Sequence, residues 1–562
     1  MANLQMAYID LPHVFQHALL HSQTYPKNTI HRTIDTYPQS LEKAYCRLSE
    51  REWDLFKDDA TECEIPIRDL DTACGKGVDK YNIHSHGKLL EWLGISTWTS
   101  PENTPMLTGT KKDPKCRFIY IYGIHSRAKL GLTKAMLMDI LTFHQVMPAF
   151  LDFLYLFGQK SEPTDLQFSS FHEQVVLTSP SDGIALSGLG RSGKYYQSCY
   201  NLKSVTLTYE NKENITLCEW SIRQAVFHHQ FDVVNGNMLW IVVKGNLDIQ
   251  QRFKSLTDKD ARPQDKSFET PEECFRSSLS AHLMYCHWAT EDWRWYIEWL
   301  EIAIDKEHIM ALLGPSEAGY THKTYTPRDI QDLQIWEEKA RKVVMALEGN
   351  IDVMSALVGF YRRLAQDKNF PLRKTCSGDI NTFATQVGSI IADFRMQIKR
   401  TEFLVRTTSD RRQLVIQHLQ SQSASRAERL SRSMEKEQAF MLTITVVTLL
   451  FLPATFVSTF FSTDIIKYQD PDYSEGKFSK IAMERWAEVT ASLTVITFGI
   501  AWFFRRRTMR KRKEEDQHDL KTQHTSRKSN KSSWTSSANL LPFHIKELIN
   551  PKDQSKGTLK CV

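Results

Sequence analysis

Six residues toward the end of this 562-residue chain are spaced to act together. Met441, Thr448, Leu452, Thr455, Thr459 and Ser462 lie three, four or seven positions apart, which places them on one face of a helix. Hydroxyls on such a face can hydrogen-bond the water shell of a cation, and they suit Mg2+, which gives up its waters reluctantly. Small hydroxyl residues also let membrane helices pack and bond to one another, so the stripe alone leaves both uses open. Thr463 and Asp464 follow at once. Asp464 is read either as a carboxylate that meets ions or as an ordinary residue bounding an apolar run.

Other constellations lead away from catalysis. Gly188 to Lys194 reads GLGRSGK and satisfies both GxxxxGK and GxGxxG, but Tyr195 stands where a phosphate loop needs Ser or Thr for Mg2+. About nine residues, YYQSCYNLK, then precede the strand-like SVTLTYE, too few for the helix whose N-terminus would receive phosphates. A glycine-rich turn is the simpler reading. His228, His229, His282 and His287 lack a third ligand at metal spacing, and the ten cysteines form no CxxC pair. Reduced thiols are therefore expected rather than a zinc site or a secreted disulfide framework. No resident cofactor and no enzymatic activity are expected.

The stripe needs a helix, and the helix needs a membrane. Gln438 to Thr463 contains no charge and, at about 1.5 Å per residue, is long enough to cross a hydrocarbon core of about 30 Å. Val489 to Phe504 is a second uncharged run, shorter at 16 residues, which reaches across if Trp486 and Ala487 extend it and Arg505 snorkels. Seven of the nine residues after it are basic: Arg505, Arg506, Arg507, Arg510, Lys511, Arg512 and Lys513. The loop between the runs is rich in Asp and Glu. Lys and Arg collect on the cytosolic side, so both termini are expected in the cytosol and the acidic loop outside. A nuclear signal or nucleic-acid patch is the competing reading of the basic run, and its place against a span disfavours it. The mean hydropathy of −0.40 limits membrane character to these short stretches.

The remainder reads as an α/β domain over 1–260, then helices over 274–370 and a stalk helix over 379–437. The spans follow at 438–463 and 487–504, joined by an external acidic loop over 464–486, and a basic, disordered tail covers 505–562. Strands are expected at Arg117–Gly123, Glu173–Ser179, Ser204–Glu210 and Asn237–Gly245, with helices at 41–56, 132–158 and 276–313. Thr326-Pro327 is a good helix start. Proline is absent from Asp379 to Pro453, and Val387, Ile391, Phe394, Ile398, Val405, Val415 and Leu419 fit a 3.5-residue seam interrupted by Thr401, Thr408 and Arg412. A solvated coiled coil without a transport role also explains that seam.

A long helix entering a first span that ends in FLPAT, an acidic loop, a second span and a basic terminus resembles the CorA-like divalent-cation transporters, especially their divergent filamentous-fungal set. The words that carry the resemblance are LTITVVTLLFLPATFVSTFF (442–461), FHQVMPAFLDFLYLFG (143–158) and LGRSGKYYQSCYNLKSV (189–205). The resemblance implies an α+β/α architecture, with a cytosolic α/β domain, a stalk helix and two C-terminal spans. It also implies a homopentamer whose first spans surround a pore for divalent metal ions, in contact with membrane lipid, most simply the plasma membrane, and with no nucleic-acid partner. Thr455 and Met441 fall where CorA lines its pore with threonine and methionine. The family's Gly-Met-Asn at the outer mouth is replaced by Ser462-Thr463-Asp464. Asp464 then becomes the expected metal contact, five carboxylates forming a ring that concentrates cations. The departure leaves a non-conducting membrane scaffold on the same architecture as the alternative, and an anchored nucleotide-binding enzyme as a weaker third.

Overall fold

The computed structural model describes residues 9–70, 78–99, 105–161, 165–180, 183–210, 218–257, 262, 265, 267–313, 325–462, 480–481, 483–503 and 506–507. The chain divides into two compact units, Met1–Gln420 and Ser421–Val562.

In the first unit, runs of β-branched and aromatic residues form nine strands: β1 Ile65–Leu70, β2 Val78–Ile83, β3 Ile95–Thr99, β4 Pro105–Gly109, β5 Cys116–Tyr122, β6 Phe171–Val176, β7 Tyr195–Tyr209, β8 Glu219–Asp232 and β9 Met238–Lys244. Seven make one sheet in the order β2-β1-β5-β9-β8-β7-β6, and β3 pairs with β4 apart from it. Among the described strands of this sheet the β5–β9 pairing is the parallel one, as expected where a long crossover separates two strands in sequence. β9, MLWIVVK, is buried throughout because both faces of the sheet are covered. Trp240 and Val242 enter one core with Phe118 and Tyr120, which is filled from the helices Pro271–Trp288, Trp293–Leu313 and Pro327–Gln366. Ile241 and Val243 enter the opposite core with Ile119 and Ile121, filled from His13–Leu20 and Lys134–His144.

Several sequence expectations shift. The stretch 132–158 is two helices, Lys134–His144 and Phe150–Leu154, because Gln145 takes a left-handed φ of 50° and Pro148 follows. The stretch 276–313 likewise breaks between Trp288 and Trp293, where Asp292 has φ 60°. β7 starts at Tyr195, so YYQSCYNLK is strand rather than a connection. β8, EWSIRQAVFHHQFD, went unread because charged, amide and imidazole groups interrupt its apolar alternation. Thr326 starts the helix Pro327–Gln366 as expected: Asp329 accepts from its backbone N–H at 2.7 Å in a capping box.

Among the described residues three helices are long and apolar enough to cross a membrane, where the sequence suggested two. The additional one, Pro327–Gln366, packs on β7 and β6 and has more than half of its most apolar stretch buried inside the protein. It is a core helix of the first unit. The other two are Ser377–Phe461, an 85-residue helix that begins in the first unit and continues into the second, and Met483–Phe503. Within the first unit, Val387, Ile391 and Phe394 of the 3.5-residue seam join the core shared with the sheet, while Val415 and Leu419 pack with Tyr325 and Leu333. The seam is therefore occupied by this chain's own side chains.

Candidate functional site

In the second unit, the stripe can be located against the helix that packs beside it. Pro453 and Val457 are buried and Leu449 is half-buried, marking one face of the first span. The indole N–H of Trp486 donates to the Ser458 hydroxyl at 3.0 Å, tying the two span helices together. On Met483–Phe503 the half-buried positions are Trp486, Thr490, Leu493, Thr494, Thr497 and Ala501, spaced three and four apart as one helix face requires. At about 100° per residue, the stripe is centred roughly 140° around the helix from the Leu449–Pro453–Val457 face. Met441, Thr448, Leu452, Thr455, Thr459 and Ser462 are all exposed in the single chain. Ser458, three positions after Thr455 and four before Ser462, is the hydroxyl that meets Trp486, so the second span borders the stripe and leaves its six residues exposed.

The hydroxyls have a fixed polarity. Thr448 donates to the Ile444 carbonyl at 2.9 Å, Thr455 to Phe451 at 3.0 Å, Thr459 to Thr455 at 2.7 Å and Ser462 to Thr459 at 2.8 Å. Each proton is thereby committed to the helix backbone, and the oxygen lone pairs are left to face outward as acceptors. A hydrated cation presents the opposite polarity, since its coordinated waters point their hydrogens away from the metal. A face of acceptor oxygens can therefore receive a water shell without stripping it. Pro453 has no N–H for the Leu449 carbonyl, which loosens the ladder near the middle of the span.

The same face continues toward the chain's earlier residues through Leu430, Met434 and Glu437, four, three and four positions apart down to Met441, all exposed. The sequence reading missed them because it began the stripe where the uncharged run begins. The spacing was the available signal. Glu437 brings a carboxylate to this face one turn before Met441. Thr463 and Asp464 lie outside the described residues, as do Arg505, Arg510, Lys511, Arg512 and Lys513. Arg506 and Arg507 are described, and the Arg506 guanidinium lies 5.0 Å from the centre of the Trp502 ring, a pairing suited to a membrane interface.

The set-aside motifs resolve structurally. Gly190 and Gly193 adopt φ values of 82° and 79°, the left-handed region that glycine tolerates. Between them Arg191 donates to Asp113 at 2.6 Å, while Ser192 donates from its backbone N–H and hydroxyl to Asp232 at 2.6 and 2.8 Å. The turn feeds directly into β7, so no helix N-terminus meets a phosphate there. His282 and His229 meet at 3.2 Å, and the Tyr200 hydroxyl lies 2.6 Å from the other nitrogen of His282. Burial pushes His228 and His282 down to about 3, so both are neutral, and it lowers His229 in the same direction. Among the described residues no three potential ligands converge on a metal site, and the cysteines form no disulfide.

The profile of the CorA-like transporters matches residues 17–312, more than half of the chain. That segment holds two of the three family-like stretches, 143–158 and 189–205, and not the span at 442–461. No curated protein sequence matches. Among solved structures, the CorA magnesium transporter from Methanocaldococcus jannaschii is 11% identical with a TM-score of 0.33, covering 78% of this chain and 96% of that one. The full-length CmaX protein is 10% identical with a TM-score of 0.30, covering 80% and 99%. On the extent of the profile match, this chain belongs to the CorA-like transporters, a family of membrane proteins.

Proposed function

We propose that this protein is a homo-oligomeric channel, a pentamer, that carries Mg2+ or a related divalent cation inward across the plasma membrane. The observation that carries the proposal is the acceptor-polarised stripe from Met441 to Ser462, left exposed beside the second span of its own chain. A polar face left toward lipid is costly, whereas facing copies of itself around water it is not. The basic run after Phe504 and the acidic loop before Met483 support two spans with both termini cytosolic. Glu437 at one end of the face and Asp464 at the other would concentrate cations at the two mouths. Membrane potential supplies the driving force, at about 2.3 kcal/mol per unit charge per 100 mV.

Purified protein in liposomes, assayed for influx of Mg2+, Zn2+, Co2+ and Ni2+, tests the reading. Wild type should conduct at least one of them. Asp464→Lys should abolish influx by placing a ring of cations at the entrance, and Asp464→Asn should retain part of it. Cysteines at Thr455 should crosslink between subunits. Full flux in Asp464→Lys would reduce Asp464 to an interfacial residue. Absence of flux for every ion would favour the non-conducting scaffold, a reading that the Ser462-Thr463-Asp464 replacement of Gly-Met-Asn keeps in play.

A further inference from the structure

A pocket of about 340 Å³ opens on the first unit, at the end of β8 remote from Asp232. Its wall is assembled from sequence-distant pieces: Arg127 after β5, Lys160 after the helix Phe150–Leu154, Arg223 on β8, and Lys339 and Lys342 on Pro327–Gln366. Five cations thus line one opening. Two of them have carboxylate neighbours, with Lys342 2.9 Å from Glu338 and Lys160 3.7 Å from Asp165. Arg127, Arg223 and Lys339 form no ion pair with any described carboxylate. Asp248 and Glu219 act on Arg223 and Lys339 only through longer-range attraction.

What the three hold instead is weak. Arg127 donates to the Ser161 carbonyl at 2.8 Å, and Lys339 rests on the rings of Trp336 and Trp299, 4.4 and 5.3 Å from their centres. Burial lowers the pKa values of Lys160, Arg223 and Lys339, so these cations are held away from water without full compensation. The wall also contains unpaired dipoles. Among the described residues the indole N–H of Trp220 finds no acceptor and the amide oxygen of the buried Gln224 no donor. Tyr296, tilted against Trp220 at 5.5 Å, adds an aromatic side. A core would not collect such groups for stability, since partly desolvated like charges repel one another.

We propose that this pocket binds a small polyanion bearing phosphate groups, of about nucleotide size. The volume suits that class. Guanidinium and ammonium groups on separate elements can share several phosphate oxygens, and the aromatic side accepts a flat ring. The ligand would cross-link β8, the loop after β5 and the helix Pro327–Gln366. The inference stands apart from conduction and is tested by binding.

The test uses full-length protein in nanodiscs of neutral lipid, titrated calorimetrically with metal-free ATP, pyrophosphate and inorganic phosphate. ATP should bind saturably with a Kd on the order of 10 μM, and the affinity should fall from ATP to pyrophosphate to phosphate. R223Q combined with K339Q should weaken ATP by about tenfold or more, while R223K retains most of the affinity and Lys43→Gln, an exposed control, changes nothing. If the double variant does not fold, acetylation of wild-type lysines read by mass spectrometry decides. ATP should slow labelling of Lys160 and Lys339 and leave Lys43 unaffected. Binding only at millimolar anion, equal weakening by Lys43→Gln, or no protection of the pocket lysines would each overturn the proposal. So would protection by phosphatidylserine vesicles without protection by ATP, which would make the pocket a lipid contact.

Discussion

Threonines of the helix Ser377–Phe461 make the same bond in opposite surroundings. In the first unit, Thr401 and Thr408 donate to the carbonyls of Gln397 and Leu404 at 2.8 and 2.7 Å, and both are fully buried. In the second unit, Thr448, Thr455 and Thr459 donate backward in the same way and are exposed. Donation to the helix's own backbone satisfies the hydroxyl proton in either place and leaves the oxygen's acceptor capacity to the surroundings. What differs is the cover. Protein encloses the first set, so its polarity concerns stability. The second set awaits lipid or other subunits, so its polarity is available for function.

Charge divides the units along the same line. Arg117, only 2% exposed, donates twice to Asp69 at 2.9 Å, and burial opposes a charge that Asp69 sustains. Gln438 to Ser462 holds no charged residue. The comparison is tested most severely by Asp69→Ala, which removes both hydrogen bonds from a buried guanidinium, leaves it only Asp113 at 3.9 Å, and should cost about 3 kcal/mol. Thermal melting in detergent should fall sharply. A change comparable with that of an exposed threonine would show that water reaches Arg117.

Acid should separate the units next. His228 and His282 titrate near 3 when folded and near 6.5 when unfolded, so between these values the unfolded chain binds more protons. Stability contributed by the neutral imidazoles is therefore intact above pH 6.5 and lost as pH falls toward 3, by about 2 kcal/mol for each at pH 5. Tryptophan fluorescence should report loosening of the sheet unit at pH 5 while span helicity persists by circular dichroism. Simultaneous loss of both signals would mean that the units are not independent.

Lys203 runs the same way in an alkaline window. Burial lowers its pKa to about 8, with its Nζ donating to the Phe168 carbonyl at 2.8 Å and to the Ser169 hydroxyl. From pH 8 to about 10.5 the unfolded chain carries a proton that the folded one lacks, so stability rises with pH, by an amount on the order of 3 kcal/mol. Melting of the wild type minus that of Lys203→Met, followed from pH 7.5 to 9.5, should show this rise. A flat difference would mean that the ammonium is solvated.

The span unit was more legible in sequence than the sheet unit, for physical reasons. A membrane forces uncharged runs and basic flanks onto a single contiguous segment, and 438–463 shows both without any tertiary information. β5 and β9 were readable because they lie at the sheet centre and are apolar on both faces. β1 and β2, IPIRDL and VDKYNI, were not, since their charged and amide groups look like loop until pairing assigns them a face. Arg117 and Asp69 stand 48 positions apart, and nothing local joins them. The stripe itself was legible from spacing alone. That the second span leaves it exposed required the burial of Pro453 and Val457 and the Trp486–Ser458 bond to be seen.

The smallest structural change carries the finest test of the comparison. Thr→Val keeps the shape of the side chain and removes one oxygen. At Thr408 the lost donor had one acceptor, the Leu404 carbonyl, which keeps its helical partner, so stability should move by about 1 kcal/mol or less in either direction. At Thr455 the same change should leave melting equally unmoved, because its hydroxyl likewise bonds only backward. Flux should respond differently at the two sites. In the proposed oligomeric pore Thr455→Val would delete an acceptor oxygen from every subunit at one level, whereas Thr408→Val deletes one from a closed core. Influx of the conducted ion should therefore fall several-fold in Thr455→Val and stay at the wild-type rate in Thr408→Val. Equal flux in both variants, with crosslinking at position 455 intact, would assign the stripe to packing between subunits and remove the hydroxyls from the conduction path.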